Sequence, residues 1–115
     1  MRIMSFFMTT QQIIDETKFV TRRFAWWNLP VDTLLCAAEK CQGLGKGGKI
    51  NRLKVIKVVS VLSEPLNAIT KAECVLEGFP DMEPAEFVEM MVKHYKCKPD
   101  KIINRIEFKY VKASE

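Results

Sequence analysis

Residues that usually hold metal ions are scarce in this 115-residue sequence. Histidine occurs once, at His94, and the four cysteines are separated by 4, 32 and 22 residues, which matches no zinc motif. No apolar run is long enough to cross a bilayer, and the apolar start, 1–8, is too short for a secretory signal. We therefore expect no metal ion or other cofactor, no membrane contact, and a cytoplasmic protein with reduced thiols.

Glycine is scarce as well: the chain has five glycines, and four of them fall between Gly43 and Gly48. A glycine-rich loop can bind phosphates through its backbone, but the Gly-x4-Gly-Lys-Ser/Thr pattern of such loops is absent. The segment therefore predicts a flexible basic loop and not a P-loop.

Acidic residues are missing between Lys40 and Lys57, where six cations occur. A second basic cluster runs from Lys93 to Lys101, while seven of the fourteen acidic residues lie in 64–89. This asymmetry favours a polyanionic partner, most economically a nucleic acid or a nucleotide. The alternative is two solvated segments whose lysines only keep the protein soluble.

The hydrophobic pattern predicts one domain over 1–115, of the α+β class, with the element order β, α, β, β, α, α, β. Thr70 and Glu73 form a capping box, Gly78 fits the position after a helix end, and Pro84 suits a first helical turn. The predicted elements are a strand at 3–8, a helix at 11–16, strands at 33–38 and 53–62, a short helix ending before Gly78, a helix at 85–95 and a strand at 102–111, with room for a further strand in 19–26.

The segment Lys18–Arg23 concentrates an amine, a hydroxyl and two guanidiniums in six positions, just before Trp26-Trp27. This combination suits an anionic or base-like ligand. Two adjacent tryptophans in extended chain cannot both face inward, so we expect one to be exposed or to line a cleft, where it could stack on a base. Taken alone, Lys18 could equally be a cation at a helix C-terminus, and the arginines a solvated face.

Five segments in order, spanning essentially the whole chain, resemble the ASCH domain family. They are Thr17-Lys18-x-x-Thr21-Arg22-Arg23, Pro30-Val31-Asp32-x-Leu34, Arg52-Leu53-Lys54-Val55-Ile56, Glu77-Gly78-Phe79 ahead of Pro84-Ala85-Glu86-Phe87, and Arg105-Ile106-Glu107-Phe108. The resemblance implies a small PUA-like β-barrel of about five to six strands with flanking short helices. It also implies RNA or nucleobase binding in a cleft, and in one branch the removal of the acyl group from N4-acetylcytidine.

The resemblance implies a catalytic set at Lys18, Thr21 and Glu77. A threonine hydroxyl is a weak nucleophile that needs a base beside it. Lys18 can be that base only if burial or nearby cations lower its pKa from about 10.4, and Glu77 could act as the acid. We predict that the three side chains converge on one pocket. Since positions 18 and 21 of a regular strand face opposite sides, the segment must turn, or the lysine must reach round.

Two functions remain open from the sequence. The first is a small amidohydrolase acting on an acylated nucleoside such as N4-acetylcytidine. The second is a non-catalytic RNA-binding module, or an RNA-cleaving protein, that uses the same cleft and the basic loop. The expected partner is a nucleoside or RNA. The expected ligand contacts are Arg22, Arg23, Trp26, Trp27, Arg105, Lys46, Lys49 and Arg52.

Overall fold

The computed structural model describes residues 1–40 and 48–112. Its secondary structure confirms the predicted class and most of the predicted elements. The strands are β1 (Arg2–Ser5), β2 (Val20–Arg23), β3 (Leu34–Ala38), β4 (Arg52–Pro65) and β5 (Ile102–Tyr110). The helices are α1 (Thr10–Ile14), α2 (Lys71–Leu76) and α3 (Pro84–Tyr95), with 3-10 turns at Phe7–Thr9 and Leu66–Ala68.

The five strands form one mixed sheet in the order β1-β3-β4-β5-β2. Only β1 and β3 run parallel, and the other pairs are antiparallel. The long strand β4 pairs with both β3 and β5, and its register with β5 shifts between Val58 and Ser60. Such a bulge adds twist and curvature to a sheet. The result is a small, barrel-like α+β fold.

Two groups of buried side chains pack against this sheet. The first includes Met4, Ile13, Leu35, Ile56 and Phe108 and is formed by α1 and by strands β1, β3, β4 and β5. The second joins α2 and α3 to the far end of the sheet, and it is formed by Leu66, Ile69, Cys74, Phe87, Met91 and Ile103. Strand β2 lies next to β5, at the opposite edge of the sheet from β1.

The first strand is shorter than predicted. It ends at Ser5, because Phe6 leaves the extended region with φ −126° and ψ 46° and a 3-10 turn follows. The strand expected somewhere in 19–26 is β2. Its alternation is hidden in the sequence because Val20, Thr21 and Arg22 are all buried, so no polar face marks it as a strand.

The predicted capping box at Thr70 and Glu73 is formed in part. Thr70 accepts a hydrogen bond from the backbone of Glu73, but the Glu73 carboxylate binds Arg22 and Arg105. A complete capping box, formed by Glu83 and Glu86, opens α3. Helix α3 ends at Tyr95, and its cap, Lys96, adopts the left-handed conformation with φ 53°. Within the described ranges, no helix is both long and apolar enough to span a membrane.

Candidate functional site

A pocket of ≈ 220 Å³ lies between the N-terminal 3-10 turn, β2, the end of α2 and α3. Its floor carries Lys18, Thr21 and Glu77, and aromatic and methionine side chains form most of its wall. The residues that line it are Ser5, Phe6, Phe7, Met8, Thr9, Lys18, Thr21, Arg22, Arg23, Glu77, Phe79, Phe87, Met90, Met91, His94 and Tyr95. The structure therefore brings the three predicted catalytic residues to one pocket.

Lys18 and Glu77 form a buried ion pair. Lys18 Nζ donates to Glu77 Oε1 at 2.6 Å and to the Glu77 backbone carbonyl at 2.8 Å. The two side chains are only 3% and 4% exposed. Burial lowers the pKa of Lys18 because it disfavours the ammonium form, while Glu77 opposes this shift and Arg23 and Arg22 add to it.

Backbone contacts fix both ends of this pair. Tyr110 Oη donates to the Lys18 carbonyl at 2.6 Å, and the amide of Phe19 donates to the carbonyl of Leu76 at 2.7 Å. Gly78 follows Glu77 with φ +94°, and a Cβ there would lie 2.8 Å from Gln12 Cγ and 3.4 Å from Lys18 Cβ. Only glycine allows this conformation together with so close an approach.

Thr21 lies on β2, opposite Ile106 of β5, and is 5% exposed. Lys18 precedes β2, so the strand alternation that would separate positions 18 and 21 does not apply. Thr21 Oγ1 accepts a hydrogen bond from Arg23 Nε at 3.1 Å. In residues 1–40 and 48–112, no hydrogen bond joins Thr21 Oγ1 to Lys18 Nζ.

Arg22 occupies the centre of a carboxylate cluster. Its Nη1 donates to Glu77 Oε2 at 3.1 Å, and its Nη2 donates to Glu64 at 3.0 Å and to Glu73 at 2.7 Å. The side chain has no exposed surface, although Nε lacks a partner among the described atoms. Arg22 lines the pocket, but its charge is already balanced by protein carboxylates.

Arg105 supports this cluster from outside the pocket. It binds both carboxylate oxygens of Glu73 and also contacts Glu107. The hydrogen bond from Arg105 is the main reason that the pKa of Glu73 is lowered. Arg105 is absent from the described pocket wall, so its geometry fits a positioning role through Glu73 and differs from the predicted direct ligand contact.

Four other predicted ligand contacts, Trp26, Trp27, Lys49 and Arg52, are absent from the described pocket wall. Trp27 is 47% exposed, whereas Trp26 packs against the first core and under the guanidinium of Arg2 at 4.1 Å. One tryptophan is therefore exposed, as expected. Lys49 and Arg52 are exposed and absent from the described pocket wall. Lys46 lies outside the described residues.

Arg23, another predicted ligand contact, lines the pocket and binds Thr21. Its guanidinium lies 4.7 Å from the centre of the Phe6 ring, its Nη2 donates to the Ser5 carbonyl, and its Nε donates to Thr21. A cation next to the hydroxyl can stabilise negative charge that develops there.

The rim of the pocket is formed by residues that were not predicted to contact a ligand. Phe7 and Met8 from the 3-10 turn, and His94 and Tyr95 from the end of α3, are exposed and line the opening. Met91 of α3 belongs to the second core and also lines the pocket. Phe7 and Met8 belonged to the strand predicted over 3–8, and their exposure follows from the early end of β1 at Ser5, which no signal in the sequence indicates.

No family model matches the sequence, and no curated protein sequence matches it either. Solved structures do match its fold. An ASCH domain from Lactobacillus crispatus JV V101 superposes with a TM-score of 0.67 at 17% identity, over 90% of this chain and 70% of that one. This chain has an ASCH-like fold.

A second solved structure supports the same fold. A DUF984 protein from Enterococcus faecalis V583 superposes with a TM-score of 0.62 at 14% identity, over 90% of this chain and 67% of that one. The ASCH-like fold explains why segments as distant as 17–23 and 77–79 meet: β2 runs beside β5, and the end of α2 packs against the residues before β2.

Proposed function

We propose that this ASCH-like protein binds a nucleobase-containing ligand in the pocket and hydrolyses the amide of an acylated nucleoside such as N4-acetylcytidine. One observation carries the proposal: the buried Lys18–Glu77 pair, with its 2.6 Å hydrogen bond, lies in the same pocket as the buried Thr21 hydroxyl. A buried amine, a carboxylate and a hydroxyl in one concave site can supply a base, an acid and a nucleophile.

The pocket suits a small planar ligand. Its volume of ≈ 220 Å³ is below the range of about 300–1,000 Å³ typical for drug-sized molecules. Phe79, Phe87 and Met91 give it an apolar wall, while the polar groups gather on the floor. A base with a short acyl group would place its ring against this wall and its polar amide near Thr21.

The Lys18–Glu77 hydrogen bond offers a route to a neutral lysine. Burial lowers the pKa of Lys18, and a ligand that displaces water from the pocket would disfavour the two charges further. Transfer of one proton along the 2.6 Å bond converts the ion pair into an amine and a carboxylic acid. Those are the protonation states that a base and an acid require.

The proposed reaction has two steps, acylation of Thr21 and hydrolysis of the resulting ester. Thr21 Oγ1 attacks the amide carbon as Lys18 takes the hydroxyl proton, and the carbonyl electrons move onto oxygen, where Arg23 can stabilise them. As the C–N bond breaks, Glu77 donates its proton to the leaving amine. Water next attacks the acyl-threonine ester and gives a proton to Glu77, while Lys18 returns a proton to Thr21, which restores both groups.

A second candidate function is nucleobase or RNA binding without catalysis. A specific observation favours it: Thr21 Oγ1 accepts from Arg23, and Lys18 Nζ donates to Glu77, so the hydroxyl and the amine are not hydrogen-bonded to each other. In this alternative the buried charges only hold the residues of the pocket in position.

Substitutions at Thr21 separate the two functions. The wild type should release acetate from N4-acetylcytidine. Thr21→Ser keeps a hydroxyl and should keep part of the activity, whereas Thr21→Val keeps the shape without the hydroxyl and should lose at least ~10²-fold. Cytidine affinity, measured by calorimetry, should stay similar in Thr21→Val. Absence of hydrolysis by the wild type, or full activity in Thr21→Val, would contradict the proposed hydrolysis and favour binding without catalysis.

A further inference from the structure

A second concave surface adjoins the pocket at the end of α3. It has a volume of ≈ 510 Å³ and shares Tyr95 with the first pocket. We call it the basic groove, and it is lined by Phe24, Tyr95, Lys96, Cys97, Lys98, Asp100 and Lys101. A ligand larger than one nucleoside could therefore continue from the pocket into the groove across Tyr95.

The cations of the basic groove are available to an anionic ligand. Three lysines face one acidic residue, Asp100, and in the described part of the chain none of the three ammonium groups forms an ion pair. The cations of the first pocket differ, since Lys18 and Arg22 are already paired with buried or half-buried carboxylates.

Helix electrostatics do not account for this cluster. Cations near a helix C-terminus are stabilised by the helix dipole, but that effect falls off within the last turn. Helix α3 ends at Tyr95 with Lys96 as its cap, so Lys98 and Lys101 lie beyond it. Lys93, within the last turn, is paired with Glu89 at 2.8 Å and is not part of the groove.

Aromatic rings stand beside these lysines. Phe24 and Tyr95 pack edge to face with their ring centres 5.0 Å apart, and Lys101 Nζ lies 5.5 Å from the centre of the Phe24 ring. Tyr95 is 48% exposed. Phe24 is partly buried against the second core, so Tyr95 is the ring of this pair that is open to a ligand. An exposed ring beside unpaired cations is typical of surfaces that stack bases and track a phosphate backbone.

We propose that the basic groove binds the phosphodiester backbone of a single-stranded RNA whose acylated cytidine occupies the first pocket. The acylated cytidine in the pocket rests on the proposed function. Binding of a phosphodiester backbone by the groove is inferred separately, from the charges and rings of the groove. Tyr95 would separate the nucleotide in the pocket from its neighbour. The substrate is then a modified residue within an RNA strand, and a free nucleoside would bind more weakly.

The test measures binding of a short oligocytidylate by fluorescence anisotropy at several salt concentrations. The variant Lys98→Gln/Lys101→Gln removes two exposed charges from the groove. The control Lys93→Gln/Lys109→Gln removes the same charge from exposed positions outside it. We expect the groove variant to bind roughly fivefold more weakly, and its salt slope to fall by about 1.4, since each phosphate contact on a single strand contributes ~0.7. The control should behave like the wild type.

The inference would be overturned by an unchanged affinity in the groove variant, by an equal loss in the control, or by a wild type that does not bind the oligocytidylate. A wild type that binds cytidine 5′-monophosphate as tightly as the oligocytidylate would also contradict it, because the groove would then add nothing. Affinity for free cytidine is measured in parallel and reports on the first pocket. Failure to bind cytidine would contradict the proposed function, while the oligocytidylate result would still decide the groove.

Discussion

Lys18 Nζ lies 2.6 Å from Glu77 Oε1 although the two residues are 59 positions apart and both side chains are almost completely buried. Each charge would be strongly destabilised in the interior without its partner. The pair is held by the chain on both sides: Tyr110 binds the Lys18 backbone, and Lys18 itself binds the Glu77 backbone. Its position in the wall of the pocket is the reason that we propose a functional role for this pair.

Removal of the carboxylate should destabilise the fold. In Glu77→Gln, Lys18 and Arg22 lose the carboxylate that joins them, and we expect the free energy of unfolding to fall by about 3–5 kcal/mol. Denaturant unfolding checks this value. The control Glu107→Gln removes a half-buried carboxylate that contacts Arg105 at 3.3 Å. It should lower the free energy of unfolding by less than ~1 kcal/mol.

A double variant tests whether the loss comes from the unpaired charge. Lys18→Met/Glu77→Gln removes both members of the pair, while Arg22 keeps Glu64 and Glu73. It should be more stable than Glu77→Gln alone. Equal stability of the single and double variants would show that the Lys18 charge is not what Glu77 balances.

Gly78 should be intolerant of a side chain. Gly78 has a φ of +94°, and a Cβ there would lie 2.8 Å from Gln12 Cγ. We expect Gly78→Ala to lower the free energy of unfolding by about 1–2 kcal/mol or more, because alanine is strained in a left-handed backbone and displaces the glutamine. Because Gly78 also approaches Lys18 Cβ, the affinity for cytidine should fall as well. The control is the same change at the exposed Gly48. Unfolding and calorimetric titration check both effects, and equal behaviour of the two variants would contradict the account.

The long apolar strands could be predicted from the sequence because their signals are local. The β-branched run at 53–62 lies within β4, and Ile106, Phe108 and Tyr110 alternate with polar residues along β5. Strand β2 could only be suspected. Burial of Arg22 depends on Glu77, at the end of α2, and on Glu64, near the end of β4, which lie 55 and 42 positions away.

Some residues of the pocket could likewise be predicted from the sequence, and others could not. Lys18, Thr21 and Glu77 could be placed in one pocket because the resemblance to a family supplied their association. The carboxylate cluster around Arg22 could not, because arginine is normally exposed and no local pattern indicates three acidic partners. The rim formed by Phe7 and Tyr95 could not be predicted from the sequence, because apolar and aromatic residues within a predicted strand or helix usually fill the core.

The pH profile of N4-acetylcytidine hydrolysis by the wild type and Lys18→Arg tests the central claim most directly. In the proposed mechanism the Lys18–Glu77 pair must keep one shared proton, because a neutral Lys18 accepts the threonine proton while Glu77 donates to the leaving amine. Measured between about pH 6 and pH 9, wild-type kcat/KM should stay level while the pair holds that proton and should fall at the pH where the pair loses it, which lies below the usual range of a lysine because burial lowers the pKa of Lys18. Lys18→Arg keeps the charge but cannot lose its proton at these pH values, so it should retain cytidine binding and lose at least ~10²-fold in kcat/KM throughout. Hydrolysis that persists in Lys18→Arg with an unchanged pH profile would contradict the role of Lys18 as the base.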